Sequence, residues 1–415
     1  MSRQGEGMTI SVTTAATPRV EPAGGAGGAR RRFDWRGIPA WAQALFLYAV
    51  SRALFTFVAY RAADLARPHP DGRHRRYLEI ANNWDGTWYR RIAVEGYPSV
   101  LPVDSMGAAA PNTWAFYPLF PRTVSVVMRV TGLDWTFAAT VVSLVAGAAA
   151  VVVVRSVLAR VAGPRTAMWS VAFLCFFPAA PVLQLPYSES LALLLLALTF
   201  WCLQCGRYLL AVPVILALGL ARPVAVPMAA VLGVHLLREV WAVRRLPRAA
   251  WRSLAGPAAA CAAGVAAAAE WPLLAWRGTG VPNAYTLTMA AWRTPHQVVP
   301  VRPWAQFSQH LLGAVIGPVV LVAALAALAA WLARRGWRVL GADLVAWCGF
   351  YLAYLVAVLD SFTSLPRYLL PLFPLGALLA STSSSRAFRV AVTVSSAVGG
   401  VGWMLLIWRS RIWAP

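Results

Sequence analysis

No lysine occurs anywhere in this chain, and its 415 residues include only 15 acidic side chains against 37 basic ones, all of them arginine. A formal charge of +22 would suggest nucleic acid in a soluble protein. Here, however, the arginines gather at the ends of apolar runs (Arg30, Arg31, Arg32 and Arg36; Arg238, Arg244, Arg245, Arg248 and Arg252; Arg334, Arg335 and Arg338) and line no basic groove with interleaved aromatics, which excludes a nucleic-acid partner. The absence of lysine fits a high-GC genome better than a functional demand for guanidinium. Cysteine is scarce too. All five cysteines sit within apolar runs, where a thiol behaves as a small buried hydrophobe, so no disulfide is expected. Cys202 and Cys205 form a C-x-x-C without a second pair or a βαβ pattern nearby, which argues against redox or zinc chemistry. No metal-ligand spacing appears; His69, His74, His296 and His310 are expected in solvated loops. No cofactor is expected. Neither an internal repeat nor a cleavable targeting segment is evident.

What the chain has in abundance is hydrocarbon: 59% of residues are hydrophobic, many in runs of about 20, the length that crosses roughly 30 Å of bilayer core. The expected class is therefore all-α, a polytopic transmembrane helical bundle. Runs are read at Pro39 to Ala66, Trp114 to Val130, Trp135 to Val154, Thr166 to Leu185, Ser188 to Cys205, Tyr208 to Leu220 with Val224 to Leu237, Pro257 to Trp276, Leu311 to Leu332, Leu344 to Leu359, Leu365 to Leu379 and Val390 to Trp408. They give about 11 crossings. The clustered arginines mark the inner side and anionic membrane lipid as a partner.

Residues 1–38 read as a disordered, basic cytoplasmic tail. Residues 39–237 read as a catalytic transmembrane module with an outer loop at 67–113, flexible from Ser105 to Pro111. Residues 238–415 read as a C-terminal transmembrane module with a second outer loop at 277–310. Two topologies satisfy the pattern. If Trp114 to Val130 dips into the membrane without crossing, Tyr187 to Glu189 and Arg222 lie outside beside Asp85; if it crosses and Tyr208 to Leu237 is one span, those groups fall inside.

With so few acids, each one near the membrane can be weighed: Asp85, Glu95, Glu189, Glu270, Asp343 and Asp360. Ionisable groups in spans are costly and mark sites or pathways, whereas those at span ends can be simply solvated. Asp85 opens the segment Trp84-Asp85-Gly86-Thr87-Trp88-Tyr89-Arg90-Arg91-Ile92-Ala93-Val94-Glu95-Gly96, whose Trp88, Tyr89, Ile92 and Ala93 share one helical face with Gly96 as a stop. That is a surface helix in the first outer loop. Asp85 suits an N-cap as well as a catalytic carboxylate. Phe177-Pro178 and Pro186-Tyr187-Ser188-Glu189 end one run and start the next helix, with Glu189 at the positive end of its dipole. Arg222 interrupts an apolar stretch and needs an anion or water, for which a lipid phosphate would serve.

These residues carry a resemblance. Trp84-Asp85 with Tyr89, Ile92-Ala93 and Gly96-Tyr97, then Ala115-Phe116-Tyr117-Pro118-Leu119-Phe120-Pro121, then Phe177-Pro178, Pro186-Tyr187-Ser188-Glu189 and Arg222 resemble, in order, the blocks of the phosphatidylinositol-glycan class V mannosyltransferase family. The resemblance covers residues 77–223. It implies a GT-C fold and transfer of mannose, or a related hexose, from a polyprenyl-phosphate sugar at the outer face of the plasma membrane. Asp85 would be the general base of an inverting displacement. Arg222, with Arg122 second, would hold the donor phosphate. Glu189 would orient a sugar hydroxyl or hold Arg222, beside Tyr187 and Ser188, while Trp84, Trp88 and Tyr89 would wall the substrate. The continuation Arg222-Pro223-Val224 departs from the family and leaves the acceptor open among a glycan, a glycolipid and a protein hydroxyl. Two other classes stay open: a lipid or glycolipid transporter, which calls for midplane charges and internal symmetry, and a non-catalytic scaffold, which gives Asp85 no task.

Overall fold

Alanine, valine and leucine runs bounded by proline, glycine and arginine become helices throughout the computed structural model, which describes residues 37–65, 77–293, 298–359 and 362–409. In chain order these are α1 (Ala40–Leu65), α2 (Tyr77–Ala81), α3 (Asp85–Glu95), α4 (Leu119–Thr131), α5 (Trp135–Ala162), α6 (Pro164–Cys175), α7 (Glu189–Gln204), α8 (Tyr208–Gly219) and α9 (Ala225–Val243). Then come α10 (Ala255–Thr279), α11 (Ala284–Ala291), α12 (Arg302–Leu312), α13 (Ile316–Trp331), α14 (Trp337–Val339), α15 (Gly341–Val358), α16 (Leu365–Tyr368), α17 (Pro374–Ser381) and α18 (Arg386–Arg409). Seven helical stretches among the described residues are long and apolar enough to cross a membrane, and α7 and α8 are shorter apolar helices. This is a multi-pass membrane protein. Most of the tail expected at 1–38, His69, His74, His296 and Asp360 lie outside the described residues.

Several expected runs resolve differently. The run from Trp114 to Val130 contains only α4, 13 residues or about 20 Å at 1.5 Å per residue, too short to cross. Its apolar side, Phe120 and Val124, is buried, while Arg122 and Val130 are exposed. The stretch 208–237 is not one broken span, because α8 and α9 run antiparallel on either side of α10. Tyr208, first in α8, meets His235 late in α9, 3.0 Å from Oη to Nε2, and Gly256 near the start of α10. Gly219, last in α8, faces Ala267 and Glu270, whereas Ala229 and Leu232 of α9 face Gly264. The chain therefore reverses at Leu220–Val224, with Arg222 in the turn. The run Leu365 to Leu379 breaks into α16, a 3-10 turn at Leu370–Leu372 and α17, since Pro366, Pro371 and Pro374 each remove a backbone donor. The loop 277–310 carries α11 and α12. The stretch Ser105 to Pro111, expected to be flexible, is a pinned turn: Asp104 Oδ1 accepts from the backbone N–H of Met106 and Ala108 at 2.9 and 3.0 Å.

Small residues let the helices approach closely, as membrane bundles require when burial against lipid gives little drive. A Cβ at Gly219 would stand 2.5 Å from the carbonyl oxygen of Ala267, and one at Gly147 of α5 would stand 2.3 Å from the Tyr48 hydroxyl of α1. Large apolar side chains such as Phe46, Phe57, Val145, Val319 and Val398 point outward, the belt that lipid would cover. The two ends of α8 differ in kind. Its Tyr208 end follows Arg207 and meets His235, which with Arg238 pairs with Asp343; its Gly219 end leads into Arg222 and the acidic residues described next.

Candidate active site

Asp85 is held in place by its neighbours on both sides. Asn82 accepts from Trp135 Nε1 at 3.0 Å and donates to Thr136 Oγ1 at 2.6 Å, tying the turn before α3 to the start of α5. Tyr187 donates to the Asn83 carbonyl at 3.2 Å. Trp84 takes a positive φ of 54°, a conformation that costs a non-glycine residue energy and persists only where packing enforces it. Gly86 lies against Pro186 and Tyr187, where an added Cβ would be 3.4 Å from Pro186 Cγ. Tyr89 and Ile92 are buried beneath the helix, and Gly96 ends it at φ 82°. The capping role open to Asp85 is not the one it takes. Asp85 is the first helical residue rather than the cap, Trp84 precedes it, and no side chain caps α3.

The Asp85 carboxylate instead meets Arg367 of α16, whose Nη1 donates to Asp85 Oδ2 and also to Glu189 Oε1 at 3.3 Å. Glu189 Oε1 accepts from Arg222 Nη1 as well, at 2.6 Å. Arg222 Nη1 further donates to Ser188 Oγ at 3.3 Å, and Ser188 Oγ lies 2.8 Å from Tyr89 Oη. Burial above all raises the Tyr89 phenol far beyond its usual range, so it stays a neutral hydroxyl. Both guanidinium groups pack against the Tyr368 ring, at 5.3 Å for Arg222 and 5.0 Å for Arg367, and Arg367 also faces Tyr187 at 5.5 Å. Two carboxylates and two guanidiniums thus balance in a site where Glu189 and Arg367 side chains are 4% and 5% exposed and Asp85 is 22% exposed. Breaking one partner of such a pair is costly because the survivor stays buried. Within this cluster, Glu189 Oε2 and Arg367 Nε are buried with no hydrogen-bond partner among the described residues.

Of the residues expected at the site, Asp85, Tyr89, Tyr187, Ser188, Glu189 and Arg222 come together and Trp84 abuts them in sequence. Trp88 lies one turn along α3, stacked on Phe116 at 5.7 Å and edge-on to Trp292 at 5.1 Å. Arg122 does not join. It is exposed on α4 beside Gly96 and makes none of the cluster's ion pairs. The other acids lie elsewhere: Glu95 pairs with Arg91 on the surface, Glu270 faces Gly219, and Asp343 pairs with His235 and Arg238 at the opposite end of α9. Among the described residues no group of three His, Cys, Asp or Glu is placed to hold a metal ion. Sequence reasoning missed Arg367 and Tyr368, taking them for the edge of an apolar span. The available signal was Pro366-Arg367, an arginine beside proline at the head of that run, the mirror of Arg222-Pro223. Next to Arg367 in sequence, Leu365 and Leu369 help line an apolar cavity of about 490 Å³ together with Phe177, Trp304, Trp331 and Phe373.

The fold is an all-helical, multi-pass bundle with the charged cluster at one end. The chain is similar to ArnT from Cupriavidus metallidurans, whose crystal structure was determined bound to undecaprenyl phosphate, with a TM-score of 0.50 and 17% identity over 84% of this chain. It spans 62% of the length of that protein, and at this identity the likeness speaks to the fold. No family model and no curated protein matches the chain.

Proposed function

We propose that this protein is a membrane glycosyltransferase that moves mannose, or a related hexose, from a polyprenyl-phosphate sugar to an acceptor hydroxyl at the outer face of the plasma membrane. The observation that carries this reading is the cluster in which a partly exposed carboxylate, Asp85, sits beside two guanidiniums, Arg222 and Arg367, at one end of the bundle. The apolar cavity lined in part by Leu365 and Leu369, two residues to either side of Arg367 in sequence, offers room for lipid, and the fold likeness to a protein crystallised with undecaprenyl phosphate supports a polyprenyl carrier. The resemblance of residues 77–223 to the blocks of the phosphatidylinositol-glycan class V mannosyltransferases is what favours mannose.

The step is a single inverting displacement. An acceptor oxygen bonds to C1 of the sugar as its proton passes to a carboxylate oxygen of Asp85. The bond from C1 to the phosphate oxygen breaks, and its electron pair leaves with the polyprenyl phosphate. Phosphate is stable as an anion and leaves without being protonated, so acid catalysis matters little, while the negative charge it gains makes preorganised cations matter much. Arg222 and Arg367 are those cations, fixed beforehand by Glu189, Ser188 and Tyr368. Arg122, exposed on α4, is left to the membrane surface.

The test is incubation of purified protein with labelled polyprenyl-phosphate mannose and a membrane extract. The parent should consume the donor, and Asp85→Asn should fall by about a hundredfold or more, the usual cost of losing a general base. A parent that leaves the donor intact, or an Asp85→Asn variant with near-parent turnover, overturns the reading.

A further inference from the structure

Arg367 touches Asp85 and Glu189 through the same nitrogen, Nη1. Its Nε is buried without a partner, as is Glu189 Oε2. Glu189 already has Arg222 at 2.6 Å, so it keeps a counter-ion if Arg367 turns away. Asp85 has no other ion pair among the described residues. The side chains differ in their supports as well. Asp85 rises from α3, anchored by Asn82 and Tyr187, whereas Arg367 stands on a four-residue helix between two 3-10 turns at Phe362–Ser364 and Leu370–Leu372, in a stretch interrupted by prolines. The irregular segment is the one that can adjust.

From this we infer that Arg367 is a shared cation: it covers Asp85 when no donor is bound, and it passes to the donor's phosphate, uncovering Asp85 as a base only once the sugar is in place. This rests on the glycosyl-transfer reading and adds to it an order of events and a residue that enforces it. The four side chains sum to zero formal charge, so an arriving phosphate must compete with a carboxylate for a guanidinium. Asp85 pairs with one guanidinium where Glu189 pairs with two, and it is the more exposed of the two carboxylates, hence the one whose partner the phosphate takes. A ligand shifts such an equilibrium only by its differential affinity for the two arrangements, and the phosphate supplies it through the planar fork that a guanidinium offers to oxyanions. Before donor arrives, Asp85 Oδ2 is engaged by Arg367, so one of the two oxygens open to the acceptor's proton is held back until the guanidinium moves.

The consequence runs against ordinary expectation for a salt bridge: removing Asp85 should improve phosphate binding. If Asp85 engages Arg367 in nine-tenths of donor-free molecules, apparent affinity is reduced about tenfold, and Asp85→Asn should recover most of that factor. The probe is farnesyl phosphate, titrated against detergent-purified parent, Asp85→Asn, Arg367→Gln and the double variant, with farnesol as the uncharged control. Expected are tighter binding in Asp85→Asn, binding weakened about tenfold or more in Arg367→Gln, and no gain from Asp85→Asn once Arg367 is gone. A second measurement needs no variant. Carbodiimide coupling of glycine ethyl ester to Asp85, read by peptide mass spectrometry, should rise with farnesyl phosphate and stay flat with farnesol. Equal or weaker binding by a folded Asp85→Asn, or labelling of Asp85 that is flat or lower with farnesyl phosphate, overturns the shared-cation assignment. If the parent transfers sugar while those tests fail, the transferase reading stands alone; if the parent binds farnesyl phosphate no better than farnesol, both fall.

Discussion

Replacing Glu189 by glutamine removes one negative charge and leaves the shape of the side chain. The Glu189 side chain is 4% exposed, and its Oε1 accepts from Arg222 at 2.6 Å and Arg367 at 3.3 Å. In Glu189→Gln the two guanidiniums share only Asp85, so the buried site carries one uncompensated positive charge. Losing one member of a buried pair costs about 3–5 kcal/mol, which for a protein of this size lowers the melting temperature by on the order of 3–6 °C. Asp85→Asn should cost less, because that side chain is 22% exposed and Arg367 retains Glu189. Arg91→Ala, which breaks a pair whose side chains are 57% and 62% exposed, should barely register, as surface pairs do. Thermal unfolding in detergent, followed by tryptophan fluorescence, ranks the three. The decisive comparison is Glu189→Gln with Arg222→Gln: removing one charge of each sign should restore at least half of the loss. If Glu189→Gln melts within about 1 °C of the parent, or if the two losses simply add, the cluster is not the buried, mutually compensating network described here.

Three further outcomes follow from the same geometry. Arg222→Lys keeps the charge but loses the planar guanidinium that, with Nη1 on Ser188 and Glu189, leaves its other N–H donors for a phosphate, so transfer from polyprenyl-phosphate mannose should fall in Arg222→Lys and further in Arg222→Ala; equal turnover in all three reassigns Arg222 to structure. Gly219→Ala places a methyl 2.5 Å from the Ala267 carbonyl oxygen, and since backbone cannot yield as a side chain does, it should destabilise by about 1–3 kcal/mol, visible as a lower melting temperature; an unchanged one means α8 and α10 are less tightly joined. In a cysteine-free parent, Ser105→Cys and Thr286→Cys should react with an impermeant maleimide on intact cells and Ser253→Cys only after permeabilisation, the pattern expected when arginine-rich segments are retained on the inner side; the reverse pattern inverts the proposed topology and moves the site inside.

Much of the site was legible because it was built from breaks in pattern. Asp85 at the head of an amphipathic stretch, the prolines before Tyr187-Ser188-Glu189 and the arginine in an apolar run each violate what a membrane span prefers, and all three breaks fall at one end of the bundle. The spans around them were legible for the opposite reason, since runs of about 20 apolar residues have few alternatives to crossing as helices. What composition could not separate was a helix that crosses from one that turns. The stretch 208–237 is as hydrophobic as a single span, and only the turn at Arg222, with α10 accepting a helix on each side through Gly219 and Gly264, reveals the reversal.

Arg367 escaped for a different reason. Its partners lie 282 and 178 residues away in sequence, and nothing local in Pro366-Arg367-Tyr368 says which anion it meets. Counting charges inside apolar runs would have raised the question without answering it, since an arginine there has two ways to be satisfied. Arg52 of α1 takes the first: 6% exposed, it donates to the carbonyl oxygens of Cys175 and Ala180, closing the end of α6 with no acid involved. Arg389 does likewise with the Ala380 carbonyl. Arg222 and Arg367 take the second and meet carboxylates. The difference has a chemical consequence. An arginine spent on helix carbonyls is locked into the scaffold, because releasing it would orphan backbone acceptors with no other donor. An arginine spent on carboxylates can exchange one oxyanion for another of similar shape. Among the described residues, the guanidiniums proposed to receive a phosphate, Arg222 and Arg367, are accordingly ones that the fold has paired with acids.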